Sequence, residues 1–389
     1  MVYQFDKTLD HRKNGSYRWR QPEGREDVIG MGTADMDYAS PPCLKDAVKQ
    51  VWEENTFNYR GISPEYTRAV IGWYQRTYGL ALEKAWLTSA PGTIGAIRIA
   101  LELYSERGDY VLLQAPYFSP LKRAIEGAGC RALLNPMVLR DGRFELDLEE
   151  FERQVRTYRP SIFLMVNPQN PTGRVFARAE LERMTEICHE NHVVIISDEV
   201  HSLITFGGSR HIPVLDVSQK ARDISVQVMS VSKGFNMMGL PHAIVAIANR
   251  DMKARWDTAA ASYSFSYAYN AYTMAAVTAI MSGRAEDWLR EVTAYLKENR
   301  DLFISGLREK RLPLTPYAPE AGFLLWADCR ASGLDPERLE EEFLNRAGIS
   351  LNNGLEHGEL GRGFIRLNFA VTRENLSMAL ERIDRMFKS

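Results

Sequence analysis

The chain has 389 residues, of which 45% are hydrophobic and 10% aromatic, enough for one large domain and a smaller one. Its formal net charge of −2 gives no basic excess, so we expect neither nucleic acid nor a membrane as a partner. Four widely spaced cysteines without CxxC spacing predict neither a zinc knuckle nor a disulfide framework. No segment has the pattern of a secretory leader or a membrane span, so a cytoplasmic protein is expected.

The middle of the chain alternates between predicted strands and helices. Residues 161–166 form a short apolar run ended by Asn-Pro, and residues 193–196 form a second run ended by Ser-Asp. Between them, residues 179–190 place apolar side chains at helical spacing, as in the crossover of a right-handed βαβ unit. Residues 224–229 supply a further strand. The sequence therefore predicts an α/β fold with a mostly parallel central sheet flanked by helices.

The C-terminal part predicts a smaller α+β domain. Its predicted elements are a helix near 288–308, a strand near 322–327, a helix near 336–347, a strand within 361–369 and a last helix at 374–388. We predict that residues 1–45 pack on this small domain, that residues 46–282 form the large domain, and that residues 283–389 form the small one.

Three polar signatures follow predicted strands, at the carboxyl ends where open α/β sheets bind their ligands. They are Asn-Pro-Gln-Asn-Pro-Thr-Gly at 167–173, Ser-Asp-Glu-Val-His at 197–201 and Ser-Val-Ser-Lys-Gly-Phe-Asn at 230–236. Lys233 closes an apolar strand and is placed to form a Schiff base, while Asp198 can face a pyridinium nitrogen. Together they predict a single site for pyridoxal 5′-phosphate (PLP).

These motifs resemble those of the fold-type I PLP enzymes of the aminotransferase class I/II superfamily. The nearest branch is that of the C–S β-lyases of the MalY/PatB type. The resemblance runs from Ala-Asp-Met-Asp-Tyr at 34–38, through 167–173 and 230–239, to Arg-Leu-Asn-Phe at 366–369, so it covers nearly the whole chain. It implies the fold of the type I PLP-dependent transferases, with the large cofactor-binding domain and the small domain described above.

The resemblance, with the chemistry of the residues, assigns roles around the cofactor. Lys233 would hold the cofactor and then act as the base that removes the Cα proton. Asp198 would keep the pyridine nitrogen protonated, so that the ring can accept electrons from Cα. Asn170 resembles the asparagine that binds the ring 3′-oxygen. Ser230 and Ser232 would offer hydroxyl groups to the phosphate, although either could simply cap a turn.

Further cofactor contacts are implied at four places. A helix N-terminus is predicted to cradle the phosphate through Gly92, Thr93 and Ile94, although Pro-Gly is by itself mostly a turn. Phe118 aligns with the aromatic residue that stacks on the ring, where the family usually has tyrosine. His201 resembles a second-shell histidine of this branch, but a lone histidine is as often merely packed. Tyr59 resembles the tyrosine that reaches the phosphate of a neighbouring subunit, which implies a homodimer.

Substrate binding is predicted at the other end of the site. Arg366 is the candidate for the substrate α-carboxylate, because a planar guanidinium donates two parallel hydrogen bonds. The main chain around Ala34 would meet the same carboxylate from the other side, and Asn353 is expected nearby, although Asn-Gly is also a common turn.

Five positions depart from the patterns that related enzymes show. Pro241 lies eight residues after the lysine, where ordinary subgroup I aminotransferases commonly carry a phosphate-binding arginine, and this difference favours the lyase branch. The lyases usually have a tryptophan-valine pair where this chain has Gly32 and Thr33, a histidine at the position of Gln169, and an acidic residue at that of Leu203. We therefore expect the cofactor positions to be intact and the substrate pocket to be altered.

The resemblance implies β-elimination from a cysteine-type amino acid such as cystathionine, with release of a thiol, pyruvate and ammonia. Transamination stays open, because both reactions use the same residues until a late step. A specialised elimination, substitution or cyclisation of secondary metabolism also stays open. A binding or regulatory protein that keeps the fold is a further alternative, against which the intact Lys233, Asp198 and Arg366 argue. The histidines at 189 and 192 have the wrong spacing for a helical zinc site, so no metal is predicted.

Overall fold

The computed structural model of the protein describes residues 3–20, 24–263 and 269–388. Its strands are β1 (Ile29–Gly30), β2 (Leu87–Ala90), β3 (Tyr110–Ala115), β4 (Arg131–Arg140), β5 (Arg143–Leu146), β6 (Ile162–Val166), β7 (Val194–Asp198), β8 (Ser225–Met229), β9 (Ala243–Ala246), β10 (Thr315–Tyr317), β11 (Leu324–Asp328), β12 (Ile349–Ser350), β13 (Asn352–Asn353) and β14 (Phe364–Asn368). Its α-helices are α1 (Pro42–Glu53), α2 (Pro64–Tyr78), α3 (Thr93–Tyr104), α4 (Ser119–Gly127), α5 (Leu148–Tyr158), α6 (Arg178–Glu190), α7 (Val214–Val217), α8 (Gln219–Ile224), α9 (Ser232–Phe235), α10 (Arg250–Ser262), α11 (Ala271–Ala279), α12 (Glu286–Glu309), α13 (Leu339–Glu342) and α14 (Arg373–Lys388). Over these described ranges, no helix has the combined length and apolar character that crossing a membrane would require.

An eight-stranded sheet has the order β2-β9-β8-β7-β6-β3-β4-β5. The five strands β8, β7, β6, β3 and β4 run parallel, whereas β9 and β5 pair antiparallel with their neighbours. The predicted mostly parallel sheet is thus confirmed, and the predicted strands at 161–166, 193–196 and 224–229 correspond to β6, β7 and β8. The predicted crossover helix corresponds to α6.

Alternate residues of the central strands pack against opposite layers of helices. Phe163 and Ile195 belong to the apolar cluster that includes residues of α5 and α6, whereas the next residues, Leu164 and Ile196, belong to a second cluster with α3 and α10. All four side chains have no exposed surface. Burial on both faces explains why these strands appear in the sequence as continuous apolar runs.

The C-terminal part contains an antiparallel sheet with the order β10-β11-β14-β13. The helix predicted near 288–308 corresponds to α12, the strand near 322–327 to β11, and the last helix at 374–388 to α14. The helix predicted over 336–347 begins later, at Leu339, because Asp335 accepts a hydrogen bond from the amide of Glu337 and forms a turn there. A π-helical segment, Phe343–Ala347, then continues α13.

The N-terminal segment runs along the C-terminal part. Strand β1 pairs in parallel with β12, with Ile29 opposite Ile349. The amide of Met31 donates to the carbonyl of Ser350 at 2.7 Å, and the amide of Asn368 donates to the carbonyl of Met31 at 2.7 Å. The segment thereby reaches the end of β14, and the domain boundaries near residues 45 and 282 stay a prediction.

Candidate active site

A cavity of about 250 Å³ lies beyond the carboxyl ends of β6, β7 and β8. It brings together most of the residues predicted for the site, which are Ala34, Gly92, Thr93, Ile94, Phe118, Asn170, Asp198, His201, Ser230, Ser232 and Lys233. These residues come from the loops that follow different strands, so the parallel sheet gathers them at one edge. Arg366 contacts the rim of this group through Asn170.

Lys233 lies in the short helix α9, directly after β8. Its side-chain amine Nζ donates a hydrogen bond to the carbonyl oxygen of Ala34. Burial lowers the pKa of this amine to about 8, although the carboxylate of Asp35 acts in the opposite direction. Roughly a tenth of the amine is therefore uncharged at pH 7, and the uncharged form is the one that acts as a nucleophile or a base.

Asp198 is the last residue of β7, and its side chain is buried. Its Oδ1 accepts a hydrogen bond from the amide of Val200 at 3.2 Å. Burial is the main cause that raises the pKa of this carboxyl group to about 6. Among the described residues it has no ion-pair partner within 4 Å, so a positively charged N–H group in the cavity would compensate its burial.

Another part of the cavity wall has the features of an anion site. Helix α3 begins at Thr93 with Gly92 as its N-cap, and no side chain caps its free amides. Gly92 has φ +89°, a conformation that side chains disfavour, which explains the glycine there. The hydroxyl of Ser230 donates to that of Ser232 at 3.0 Å beside these amides in the cavity wall. Free amides, the helix dipole and two hydroxyls together favour a phosphate group.

Arg366 lies on β14 and is buried, with 5% of its surface exposed. Its terminal nitrogens donate to the side-chain oxygens of Asn170 at 3.2 Å and Asn352 at 2.7 Å, and to the carbonyl of Gly32 at 3.3 Å. Its Nε has no hydrogen-bond partner among the described residues. Burial lowers the pKa of the guanidinium to about 10. The carboxylate of Glu356 acts in the opposite direction from a distance. Because all the direct partners are neutral oxygens, a bound carboxylate would supply a countercharge in contact with the guanidinium.

Two asparagines that were not singled out from the sequence fix the segment of residues 33–38 between Lys233 and Arg366. The amide nitrogen of Asn368 donates to the carbonyls of Thr33 and Asp35, both at 2.7 Å. The amide nitrogen of Asn236 donates to the carbonyls of Met36 at 3.0 Å and Tyr38 at 2.6 Å. Asn236 belongs to the motif that contains Lys233, and Asn368 belongs to the motif that contains Arg366. Their positions in these motifs are the sequence feature that could have identified them.

Phe118 and His201 both line the cavity. Phe118 is the N-cap residue of α4, which places its ring at the start of that helix. His201 is buried, and burial lowers the pKa of its imidazole to about 3, so the ring is neutral. Its ring lies edge-on to that of Phe323, with centroids 6.4 Å apart. The stacking of Phe118 on the cofactor ring and the role of His201 beside the cofactor stay predictions.

Besides Arg366, which reaches the cavity through Asn170, two predicted site residues do not line the cavity. The side chain of Asn353 donates to the carbonyls of Pro336 and Glu337, both at 3.1 Å, and accepts from the amide of Leu355 at 3.0 Å. These contacts engage both ends of its side-chain amide, and among the two asparagines it is Asn352 that contacts Arg366. Tyr59 is 83% exposed, so its predicted reach into a neighbouring subunit stays a prediction.

The departures Gln169, Leu203 and Gly32 surround the cavity without lining it. Gln169 donates to the carbonyl of Pro116 at 2.7 Å and accepts from Thr172, so it joins two loops. Leu203 packs on Gly234, where an added Cβ would come within 2.6 Å of the leucine Cδ1. Gly32 has no side chain, and its carbonyl oxygen accepts a hydrogen bond from Arg366.

The sequence profile of the family "Aminotransferase class I and II" matches residues 26–383. The cystathionine beta-lyase PatB of Bacillus subtilis (strain 168) is 30% identical over 382 residues, which cover 97% of this chain and 98% of the relative. The LL-diaminopimelate aminotransferase of Syntrophobacter fumaroxidans is 28% identical and covers 92% of this chain, with 91% of its own length matched. Among solved structures, the PLP-bound C–S lyase from Staphylococcus hominis has 27% identity, a TM-score of 0.91 and coverage of 99% of both chains.

Proposed function

The chain belongs to the aminotransferase class I and II family, and we propose that within this family it is a PLP-dependent C–S β-lyase that acts on a cysteine-type amino acid. The similarity to a cystathionine beta-lyase and to a PLP-bound C–S lyase supports this assignment over nearly the full length of each chain. The products would be a thiol, pyruvate and ammonia.

The cofactor is PLP, and the residues of the cavity fit it. Lys233 would hold its aldehyde, and the buried Asp198 without an ion pair would face its pyridinium nitrogen. Its phosphate fits the uncapped N-terminus of α3 beside Ser230 and Ser232. When bound, PLP supplies an electron-accepting ring that stabilises negative charge at the substrate Cα.

Arg366 and Lys233 would have different roles in β-elimination. Arg366 would bind the substrate α-carboxylate and so orient the Cα–H bond toward the amine of Lys233. Lys233, with a pKa lowered to about 8, would take that proton. The Cβ–S bond breaks and the thiolate leaves, taking up a proton for which the protonated Lys233 is the nearest amine donor. Addition of water to the remaining three-carbon unit gives pyruvate and ammonia.

The observation that carries the proposal is the buried guanidinium of Arg366. Its contact with Asn170 places it next to the cavity that Lys233 and Asp198 line. It forms no direct ion pair with any described residue, and the carboxylate of Glu356 acts on it only across Asn352, so its burial is costly. A substrate carboxylate satisfies it while the substrate Cα remains within reach of the lysine.

The test is to mix the purified protein separately with L-cystathionine, L-cystine and L-alanine. We expect pyruvate and thiol to accumulate catalytically from the first two without a keto-acid acceptor, and no pyruvate from alanine. Product is followed with lactate dehydrogenase for pyruvate and a thiol reagent for the sulfur product. Absence of pyruvate from both sulfur amino acids would contradict the proposal.

Transamination is the second candidate, because the family includes aminotransferases and one of them is 28% identical to this chain. In that case alanine converts the cofactor to its amine form in a stoichiometric amount, and a keto acid reverses the change. The same mixtures therefore distinguish the two reactions by their spectra and their need for an acceptor.

We also propose that the active unit is a homodimer to which Tyr59 contributes. Large apolar side chains around it are exposed, with 66% for Trp52 and 75% for Phe57, as expected of a surface that a second copy covers. Sedimentation should give twice the chain mass. Mixing Tyr59→Ala and Lys233→Ala chains should restore one intact site in each hybrid dimer, and failure of both measurements would contradict the dimer.

A further inference from the structure

His242 lies at the phosphate end of the cavity and belongs to no motif discussed so far. It lines the cavity together with Pro241, Gly92 and Thr93. The position is close to the start of α3, since a Cβ added to Gly92 would lie 3.6 Å from the Cβ of Pro241. Only 5% of the surface of His242 is exposed. A buried polar side chain thus lines the same cavity as the helix N-terminus with its free amides.

One nitrogen of the His242 ring is already bound. Its Nε2 lies 2.7 Å from the hydroxyl of Tyr66, which is buried in α2. Among the described residues this hydroxyl has no other hydrogen-bond partner, so its proton is used only if it donates to Nε2. The proton of the neutral ring is then on Nδ1, which has no partner among the described residues. Nδ1–H is therefore a donor available to the cavity.

The charge of this end of the cavity is otherwise low. Lys233 is the one cationic side chain among the described residues that line the cavity, and no arginine lines it. Burial lowers the pKa of His242 to about 4, so the ring is an uncharged donor in the absence of a ligand. A phosphate dianion can accept more hydrogen bonds than the α3 amides, two serine hydroxyls and the proposed Tyr59 of a second copy supply, so a further donor would stabilise it.

We propose that His242, held in one tautomer by Tyr66, binds the cofactor phosphate through Nδ1 and supplies a donor where an arginine is absent. The inference rests on the cofactor of the proposed function but not on its reaction. Tyr66 is a positioning residue, which acts only through the histidine.

The test compares the affinities of the cofactor-free full chain for PLP and for pyridoxal, which lacks the phosphate. The variants are His242→Gln, whose amide reaches the position of Nε2, and His242→Asn, whose amide reaches the position of Nδ1. For the glutamine variant we expect the Kd for PLP to rise about 10- to 100-fold, as for a lost hydrogen bond to a charged group. The asparagine variant should lose less, and the Kd for pyridoxal should stay unchanged in both.

Two results would overturn the proposal. An unchanged Kd for PLP in His242→Gln would show that the ring does not bind the phosphate. An equal loss of affinity for PLP and pyridoxal would show that the histidine only supports the fold. If circular dichroism shows that His242→Gln does not fold, Tyr66→Phe carries the test, with a smaller but phosphate-specific loss expected.

The controls separate this inference from the proposed function. His189→Gln, at a partly exposed helix end, should change neither affinity. A wild-type chain that does not bind PLP at all would contradict the proposed function together with this inference. A wild-type chain that binds PLP but does not cleave cystathionine or cystine would contradict the lyase assignment alone, and the comparison of the variants would still decide the role of His242.

Discussion

The cofactor end of the cavity and the carboxylate end are built in different ways. At the cofactor end, Asp198 is the last residue of β7 and Ser230 directly follows β8. These two strands are neighbours in one sheet. At the carboxylate end, Arg366 extends from the small sheet and meets Asn170 from the large sheet and Gly32 from the N-terminal segment. The first end is fixed by a single sheet, whereas the second exists only when three distant segments meet.

This difference has a functional consequence. A small shift of the small sheet would leave Asp198 and Lys233 in place but would change the partners of Arg366. The carboxylate end can thus adapt to different substrates without a loss of cofactor chemistry, which is consistent with a family that contains both lyases and aminotransferases. If the comparison is correct, changes at one end should leave the binding at the other end intact.

The largest effect is expected for Lys233→Ala. The loss of the base alone should lower kcat about 10²- to 10⁴-fold, and the covalent attachment of the cofactor disappears with the amine. Turnover of cystathionine and the visible absorbance of the purified protein measure the two effects. Lys220→Ala, on the exposed surface of α8, is the matched control and should leave both unchanged. Retention of wild-type turnover by the Lys233 variant would contradict the assignment of the site.

The next largest effect is expected for Arg366→Gln. Loss of a buried charge-assisted contact should reduce transition-state stabilisation by about 2–5 kcal/mol. This loss lowers kcat/KM, mainly because KM rises. Arg366→Lys keeps the charge but not the planar geometry and should be intermediate. Affinity for PLP should not change in either variant. An equal fall in PLP affinity would show that the two ends are not independent.

The sequence allowed the cofactor end to be predicted better than the carboxylate end, and the reason is physical. Asp198 and Lys233 each follow an apolar strand, so local pattern places them at the sheet edge. Arg366 was found from its motif, but its contact with Asn352 depends on β13 pairing with β14, which places Asn352 opposite Arg366. Local sequence pattern does not predict the pairing of distant strands, so the sequence alone does not distinguish Asn352 from Asn353.

Asp198→Asn should have opposite effects on the stability of the cofactor-free protein and on PLP binding, and its effect on stability should depend on pH. The pKa of Asp198 is raised from 3.8 to about 6, so the cofactor-free fold is penalised for the ionised form as pH rises through this range. The neutral variant should therefore be more stable than wild type at pH 8, by up to about 3 kcal/mol, and the difference should vanish below pH 4. Urea unfolding of the cofactor-free proteins at both pH values measures it.

The same substitution should weaken the binding of PLP, because the carboxylate no longer compensates the pyridinium charge. Stabilisation of the cofactor-free chain with loss of PLP affinity is the expected pair of results. Asp223→Asn, in α8 at the protein surface, is the control and should change neither quantity. A destabilised Asp198→Asn variant at pH 8 would show that the buried carboxylate is already compensated without the cofactor.

The smallest effects are expected for the adjacent residues Asn352 and Asn353, and they test the carboxylate end most sharply. Asn352→Ala removes the 2.7 Å acceptor of the Arg366 guanidinium, so KM should rise about tenfold with little change in kcat. Asn353→Ala removes contacts to Pro336, Glu337 and Leu355, so it should lower the free energy of unfolding by about 1–2 kcal/mol and leave KM unchanged. Steady-state kinetics and urea unfolding of both variants distinguish the two roles. If Asn353→Ala raises KM instead, the carboxylate site includes Asn353, and β13 must present the opposite face to the substrate.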